Sequence, residues 1–286
     1  MKNKYLAYGI KPYSWFKGSF LVLIGLLLSR WDVGVGRLDS NICFGLPIYF
    51  LIASSVMLTS LILKIEEAQD NRNTNKKLTI SSAVLFGTAF VTSVIHTASY
   101  NLDILNVFIL ALIGVILILS LYYGKSWEKK DLLANTLISL SPSVGIIYGA
   151  SLNGTLIPII VFLFFGAVFF LQFSKDLINE SKNKEKYHKA SAGSLAVNLG
   201  EEKTKKISIL FDLIVILLII LPIFLDFIYI PFLLYLIPMV LTVIIVGLAA
   251  LLTFLMKPER TYYRIVKILL RIGMFFVFAT ILLASF

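Results

Sequence analysis

Long apolar runs recur along the whole chain and constrain its fold more than any other feature. Crossing the roughly 30 Å hydrocarbon core of a bilayer takes about 20 apolar residues in a helix. Nine runs approach or exceed that length, some of them short or interrupted by proline, and they cover about 18–30, 44–64, 79–99, 104–123, 133–150, 155–174, 207–225, 229–256 and 264–285. The chain is 58% hydrophobic and only 15% charged, whereas soluble proteins carry roughly 25% charged residues. We predict an all-α integral membrane protein with about nine transmembrane helices, forming one transmembrane domain over residues 1–286.

The distribution of positive charge predicts how these spans are oriented. If the N-terminus is cytoplasmic, all of the 26 Lys and Arg except Arg30 and Arg37 fall on the cytoplasmic side. This is the bias that orients membrane proteins, and it places the C-terminus outside. The net charge of +10 is then mainly an orientation and lipid-headgroup signal. We therefore expect a multi-pass protein of the cell membrane, with the lipid bilayer and no nucleic acid among its partners.

Few residues are available for a cysteine or histidine metal site. Cys43 is the only cysteine, and His96 and His188 are the only histidines. The sole cysteine excludes an internal disulfide and any metal site built from cysteines. The apolar N-terminal stretch lacks a clean cleavage site of small residues, so we interpret it as the first span rather than a cleaved signal peptide. Any metal site is expected to use oxygen ligands.

Residues 170–206 form the most polar part of the chain and follow the sixth apolar run. They contain eight Lys, four Glu, one Asp and one His. Lys175 and Asp176 are expected on the last turn of the sixth span, with Asn179 and Asn183 continuing the same helix face. A carboxylate this close to hydrocarbon is expensive unless it is paired or binds a metal. The pattern fits a phosphate-binding site at the cytoplasmic surface, and a structural salt bridge of Asp176 with Lys175 or with a neighbouring helix is the alternative.

A second acidic cluster follows the second apolar run. Glu66 and Asp70 are four residues apart and would lie on one face of a helix, where they repel each other unless a cation lies between them. Mg²⁺ prefers oxygen ligands and often shares them with substrate phosphates. Arg72 and Lys77 follow closely and would suit the same phosphates. A solvated loop whose charges balance without a ligand is the alternative for this segment.

Three segments together resemble the UbiA family of intramembrane prenyltransferases, and the resemblance runs nearly end to end. The opening GIKPYSWFKGSFLVLIGLLL resembles the first helix of the family, with Lys11 and Pro12 at its basic and proline positions. The stretch LYYGKSWEKKDLLANTLISL resembles the connection between the fourth and fifth helices. The stretch KDLINESKNKEK and its tail GSLAVNLGEEKTKK resemble the second aspartate motif. The matching positions of the last two segments are Tyr123, Lys129, Lys130, Ala134, Asn135, Gly193, Leu195, Leu199 and Gly200.

The resemblance implies a helical bundle that binds a polyprenyl diphosphate with its head at two acidic motifs, assisted by Mg²⁺. It implies catalytic roles for Asp70, Tyr123 and Asp176, and metal ligation by Glu66, Asp70 and Asp176. The implied diphosphate-binding residues are Lys11, Arg72, Lys77, Lys129, Lys130, Lys175, Asn179 and Asn183. The motifs depart from the family pattern, because Ile62 stands at the first asparagine position, Glu66 at the next aspartate position, and Asn179 and Asn183 at two further aspartate positions.

Four functions are compatible with these features. The first is transfer of a polyprenyl group to a membrane-associated acceptor, aromatic or a lipid hydroxyl, in quinone or isoprenoid lipid biosynthesis. The second keeps the fold but cyclises the prenyl diphosphate without an acceptor. The third is a non-catalytic lipid-binding or partner protein of the same shape, because of the altered motifs. The fourth is a small transporter, disfavoured because few ionisable residues lie inside the spans away from their cytoplasmic ends.

Overall fold

The computed structural model describes residues 14–30, 35–65, 72–123, 130–154, 156–185, 194–225, 232–257 and 259–285. These residues form ten α-helices joined by short connections. In chain order they are α1 (Ser14–Leu28), α2 (Val35–Ile65), α3 (Arg72–Tyr100), α4 (Leu105–Tyr123), α5 (Lys130–Asn153), α6 (Ile159–Lys182), α7 (Leu195–Leu199), α8 (Glu201–Phe224), α9 (Phe232–Leu255) and α10 (Arg260–Leu283). The all-helical architecture predicted from the apolar runs is confirmed.

Each predicted span coincides with one of the nine longer helices. Seven of these helices are long and apolar enough to cross a membrane, namely α2, α3, α5, α6, α8, α9 and α10. The apolar parts of α1 and α4 are shorter than the others. Four of the prolines within the runs, Pro47, Pro142, Pro222 and Pro238, lie inside continuous helices. Membrane helices tolerate such prolines because neighbouring helices and hydroxyl side chains satisfy the freed backbone groups.

The helices extend beyond the predicted spans on both sides of the polar segment 170–206. Helix α6 continues to Lys182, so Lys175 and Asp176 lie two turns inside it rather than on its last turn. Helix α8 begins at Glu201, before its apolar run starts. The apolar runs mark only the part of each helix that suits hydrocarbon, whereas backbone hydrogen bonding continues into the polar flanks. The polar segment therefore provides helix ends as well as a connection.

The helices fall into two compact groups. The first contains α1 to α5, and the second contains α6 beyond its first turn together with α7 to α10. In the first group α1 and α5 cross in close contact through glycines. A Cβ added to Gly25 would lie 2.0 Å from the carbonyl oxygen of Ile146, and one added to Gly149 would lie 2.1 Å from that of Val22. Small residues at such crossings let helix backbones approach in a membrane, where lipid offers no hydrophobic drive for association.

Buried polar contacts join helices within the first group. Asn153 of α5 donates to the carbonyl oxygen of Leu26 at 2.8 Å and to the hydroxyl of Ser29 at 2.9 Å. Asn41 of α2 donates to the side-chain oxygen of Asn153 at 3.0 Å. One amide side chain thus connects α1, α2 and α5. Between α2 and α3, the hydroxyl of Ser55 lies 2.9 Å from that of Ser82.

In the second group, aromatic side chains pack α6 against α8. Phe173 of α6 meets Phe211 of α8 at 5.2 Å between ring centroids in an edge-on arrangement, and Phe170 meets the same ring at 5.2 Å. Leu177 and Ala196 complete a small buried cluster with Phe173. This cluster holds short α7 against the polar end of α6. The backbone that carries Lys175 and Asp176 is therefore supported on two sides.

Candidate functional site

A row of polar side chains follows the C-terminal half of α6, and we call it the polar ridge. Its members are Gln172, Lys175, Asp176, Asn179 and Asn183. Successive members are one to four residues apart, which places them on one side of an α-helix. Gln172 is buried, and the other four are half-buried. Half-buried polar groups of this kind remain reachable by a ligand while their positions are held by the helix.

Gln172 connects the two charged residues of the polar ridge. Its side-chain nitrogen donates to Oδ2 of Asp176 at 2.6 Å, and its side-chain oxygen accepts from the ammonium group of Lys175. The glutamine therefore holds the carboxylate and the ammonium group close together on α6. Asn183 donates to the carbonyl oxygen of Asn179 at 2.7 Å, which continues the ordered row. These contacts of the ridge all lie within one helix.

The polar ridge receives one residue from a different helix. Lys267 of α10 donates from its ammonium group to the side-chain oxygen of Asn179. Sequence reasoning missed this lysine because it lies inside the last apolar run. A signal was nevertheless present, since Arg264, Lys267 and Arg271 are spaced by three and four residues and share one face of α10. A basic face within an apolar helix is costly in lipid and indicates a functional surface.

Glu180, a further residue that sequence reasoning did not single out, anchors the connection after α6. Its side chain is buried and accepts from the hydroxyl of Ser194 at 3.0 Å and from the backbone N–H of Ala196 at 3.3 Å. Gly200 ends this connection with a φ of 77°, a conformation that glycine adopts without steric cost. Glu180 is therefore satisfied structurally, and it positions the segment that follows the polar ridge.

Several predicted site residues are not tested by the structure. Lys11, Glu66, Asp70 and Lys129 lie outside the described residues. Arg72, Tyr123 and Lys130 lie on the described backbones of α3, α4 and α5, but their side chains are outside the described part. Lys77 is exposed near the start of α3. The structure thus brings together only Lys175, Asp176, Asn179 and Asn183 of the predicted set.

The polar ridge offers oxygen ligands that suit one magnesium ion only in part. Asp176 supplies the single carboxylate, and the amides of Asn179 and Asn183 carry no charge. The oxygen of Asn179 is already engaged by Lys267. Among the described residues no group of three or more His, Cys, Asp or Glu side chains is close enough to hold a metal. The donor set therefore fits a metal that Asp176 holds together with ligands from elsewhere, such as the phosphates of a substrate.

Comparison with known proteins identifies the family of the chain. The model of the UbiA prenyltransferase family matches residues 20–276. The chain belongs to the UbiA family. No curated protein matches it by sequence, so membership in this family rests on the family-wide pattern rather than on a close relative. The match extends across both helix groups and includes the polar ridge and Lys267.

Solved structures of the UbiA family share the fold. The structure of a digeranylgeranylglyceryl phosphate synthase aligns over 94% of each chain, with 19% sequence identity and a TM-score of 0.70. A UbiA homolog from Aeropyrum pernix K1 aligns over 93% of this chain and 98% of its own, with 12% identity and a TM-score of 0.62. A UbiA homolog from Archaeoglobus fulgidus bound to DMAPP and Mg²⁺ is more distant, with 13% identity and a TM-score of 0.48. The first two confirm a UbiA-like arrangement of helices over nearly the whole chain.

Proposed function

We propose that the protein is a membrane prenyltransferase that moves a polyprenyl group from its diphosphate to an aromatic or lipid hydroxyl acceptor. The observation that carries this proposal is the polar ridge on α6, in a chain that belongs to a family of prenyltransferases. The ridge combines one carboxylate with two ammonium groups, from Lys175 and Lys267. That combination suits a diphosphate head held at the end of an apolar helix.

The residues of the ridge have separable roles in this proposal. Asp176, oriented by Gln172, would hold Mg²⁺ together with diphosphate oxygens, and Glu66 and Asp70 would contribute from the second cluster. When bound, Mg²⁺ stabilises the negative charge that develops on the departing diphosphate. Lys175 and Lys267 neutralise part of the same charge directly. Lys11, Arg72, Lys77, Lys129 and Lys130 are proposed as further phosphate contacts.

The altered motif changes how charge is balanced at this site. Asn179 and Asn183 stand where the family pattern has aspartates, so the ridge carries less negative charge and attracts Mg²⁺ less strongly. The ammonium group of Lys267 at Asn179 supplies positive charge at the same place. We therefore propose that lysine takes over part of the charge compensation that metal would otherwise provide. Tyr123 is proposed to stabilise the allylic cation through its aromatic ring.

The same observation supports a second candidate function. A ridge in which Lys267 already engages Asn179 also suits a non-catalytic protein that binds a prenyl diphosphate or another anionic lipid without turning it over. Both candidates place the protein in the cell membrane with the ridge on the cytoplasmic side. For the catalytic candidate, the pathway would be quinone or isoprenoid lipid biosynthesis. The two candidates differ in whether diphosphate is released.

A direct assay distinguishes the two candidates. Purified protein is incubated with farnesyl or geranylgeranyl diphosphate, with and without Mg²⁺, in the presence of a panel of aromatic and lipid hydroxyl acceptors. Magnesium-dependent release of diphosphate, coupled to formation of a prenylated product, is expected. Release without any acceptor would instead indicate a cyclase. Tight binding of the diphosphates without turnover would contradict the transferase and support the non-catalytic candidate.

Replacing Lys267 with methionine is expected to weaken binding of the prenyl diphosphate by about tenfold or more. Methionine keeps much of the length of the side chain but removes a charged donor, and a hydrogen bond to a charged group contributes about 1.5–3 kcal/mol. The dissociation constant is measured by isothermal titration calorimetry in the presence of Mg²⁺. Lys203→Met, on the exposed first turn of α8, is the matched control and should bind as the parent protein does. Equal affinities in both variants would show that Lys267 does not contact the diphosphate.

A further inference from the structure

A buried carboxylate lies in the second helix group and has no role in the site described above. Asp212 is on α8, eleven residues after its first residue Glu201, which places it about 16 Å along the helix. Its side chain is fully buried, with a relative exposure of 0%. Neither carboxylate oxygen has a hydrogen-bond partner among the described residues. Buried polar groups are almost always paired, so this one needs a physical explanation.

Oxygen atoms from two neighbouring helices, α6 and α10, lie near this carboxylate. We call Asp212, Ser174, Ser208 and Tyr262 the Asp212 cluster. Ser174 of α6 is near enough to act on Asp212 as a hydroxyl donor, although the two make no hydrogen bond of good geometry, and Tyr262 of α10 interacts electrostatically with Asp212. The hydroxyl of Ser174 is engaged with that of Ser208 of α8 at 2.7 Å. Thr253 of α9 in turn faces Tyr262. All of these side chains are fully buried, and the hydroxyl of Tyr262 is itself without a partner among the described residues.

The charged groups near the cluster do not neutralise Asp212. Lys205, two turns earlier on α8, donates to the carbonyl oxygen of Met256. Its ammonium group lies 5.0 Å from the centroid of the Tyr262 ring, on the polar end of the cluster. Glu201 also acts on Tyr262, and it adds negative charge. An ionised carboxylate at this depth therefore carries one uncompensated negative charge in a medium where such a charge is costly.

From this arrangement we infer that the Asp212 cluster binds a monovalent alkali cation. One carboxylate compensates one positive charge, whereas a divalent ion would leave a net positive charge in the membrane. Carboxylate and hydroxyl oxygens are hard ligands of the kind such cations prefer. A proton alone would instead neutralise the carboxylate, which could then pair as a neutral acid with the hydroxyls of Ser174 and Tyr262; this is the alternative against which the experiment below is designed. A cation coordinated by the carboxylate and the serine hydroxyls uses all of these atoms, with the Tyr262 hydroxyl as a further ligand or donor.

Thermal unfolding of the purified protein in detergent tests this site without reference to prenyl transfer. Unfolding is followed in sodium, potassium or choline chloride at equal ionic strength. A ligand that binds only the folded state stabilises it in proportion to the logarithm of its concentration. The unfolding temperature is expected to rise by roughly 3–8 °C in sodium or potassium relative to choline. In Asp212→Asn, which keeps the size and removes the charge, this difference is expected to disappear.

Two further measurements keep the test decisive. Thr280→Val removes a different buried hydroxyl, which lies 3.4 Å from that of Thr242 between α9 and α10, and it should retain the full dependence on alkali cations. Equilibrium dialysis of the parent protein with radioactive sodium should show one saturable site per chain, which covers the case in which Asp212→Asn does not fold. Equal unfolding temperatures of the parent protein in all three salts, or an unchanged cation effect in Asp212→Asn, would overturn the inference in favour of a protonated acid.

Discussion

Replacing Asp176 with alanine is expected to abolish magnesium-dependent release of diphosphate from a prenyl diphosphate. Asp176 is the only carboxylate of the polar ridge, and Gln172 holds it in place at 2.6 Å. Without it the ridge retains amides and ammonium groups, none of which supplies negative charge for Mg²⁺. Metal stabilisation of a departing phosphate contributes several kcal/mol, and each 1.36 kcal/mol corresponds to about tenfold in rate. A loss of at least about 100-fold in kcat/KM is therefore expected.

The rate of diphosphate release is measured in proteoliposomes over a range of magnesium concentrations. Asp176→Asn retains the shape of the side chain and should be as defective as alanine, because the effect depends on charge. Glu185→Ala is the control, since Glu185 is an exposed acid three residues beyond the end of α6. It should react at the rate of the parent protein. Full activity of Asp176→Ala would refute the assignment of the metal site to the polar ridge.

Replacing Gly149 with leucine is expected to prevent assembly of the first helix group. A single added Cβ would lie 2.1 Å from the carbonyl oxygen of Val22, far inside van der Waals contact. The obstructing atom belongs to a helix backbone, so no side-chain rotation relieves the clash. Alanine at this position should already cost about 1–3 kcal/mol or more through overpacking. Leucine adds three more carbon atoms and should leave no monodisperse protein in detergent.

Size-exclusion chromatography and thermal unfolding of the detergent-solubilised protein provide the measurement. Gly87→Ala is the matched control, because Gly87 lies on α3 and a Cβ there meets nothing within 4 Å. Alanine is favoured over glycine in a helix by about 1 kcal/mol, so this control should be neutral or slightly stabilising. If Gly149→Ala unfolded at the same temperature as Gly87→Ala, the close crossing of α1 and α5 would be wrong.

The positions of the long helices were predictable because lipid imposes a simple requirement on sequence, whereas the count of nine transmembrane spans stays a prediction. Each span must be apolar over about 20 residues and must satisfy its own backbone hydrogen bonds. The predicted runs consequently matched the nine longer helices, including those that contain Pro47 and Pro142. The helix ends were less predictable, as α6 shows by continuing to Lys182. Outside the hydrocarbon, polar residues are as compatible with a helix as with a loop. Hydropathy therefore does not indicate the residue at which such a helix ends. The orientation of the termini stays a prediction.

The candidate site likewise contains residues that the sequence predicted and residues that only the structure revealed. Lys175, Asp176, Asn179 and Asn183 were found from their spacing on one helix, since residues three and four apart are neighbours on any α-helix. Lys267 was missed, because its contact with Asn179 joins positions 88 residues apart in the chain. Spacing along the sequence carries no information about such a contact. Glu180 was missed for a similar reason, as its partners Ser194 and Ala196 follow after a further connection.

Local chemistry thus determined the membrane helices, the family resemblance and the polar ridge, because each depends on residues within a few turns of one another. Tertiary packing alone decided which side chains of different helices meet. It placed Lys267 on the ridge, and it brought Gly149 against the backbone of Val22. It also enclosed Asp212 among hydroxyls from neighbouring helices. In the sequence Asp212 is one acid in an apolar run, and only tertiary packing buries its carboxylate without a hydrogen-bond partner among the described residues, which is what the proposed cation site rests on.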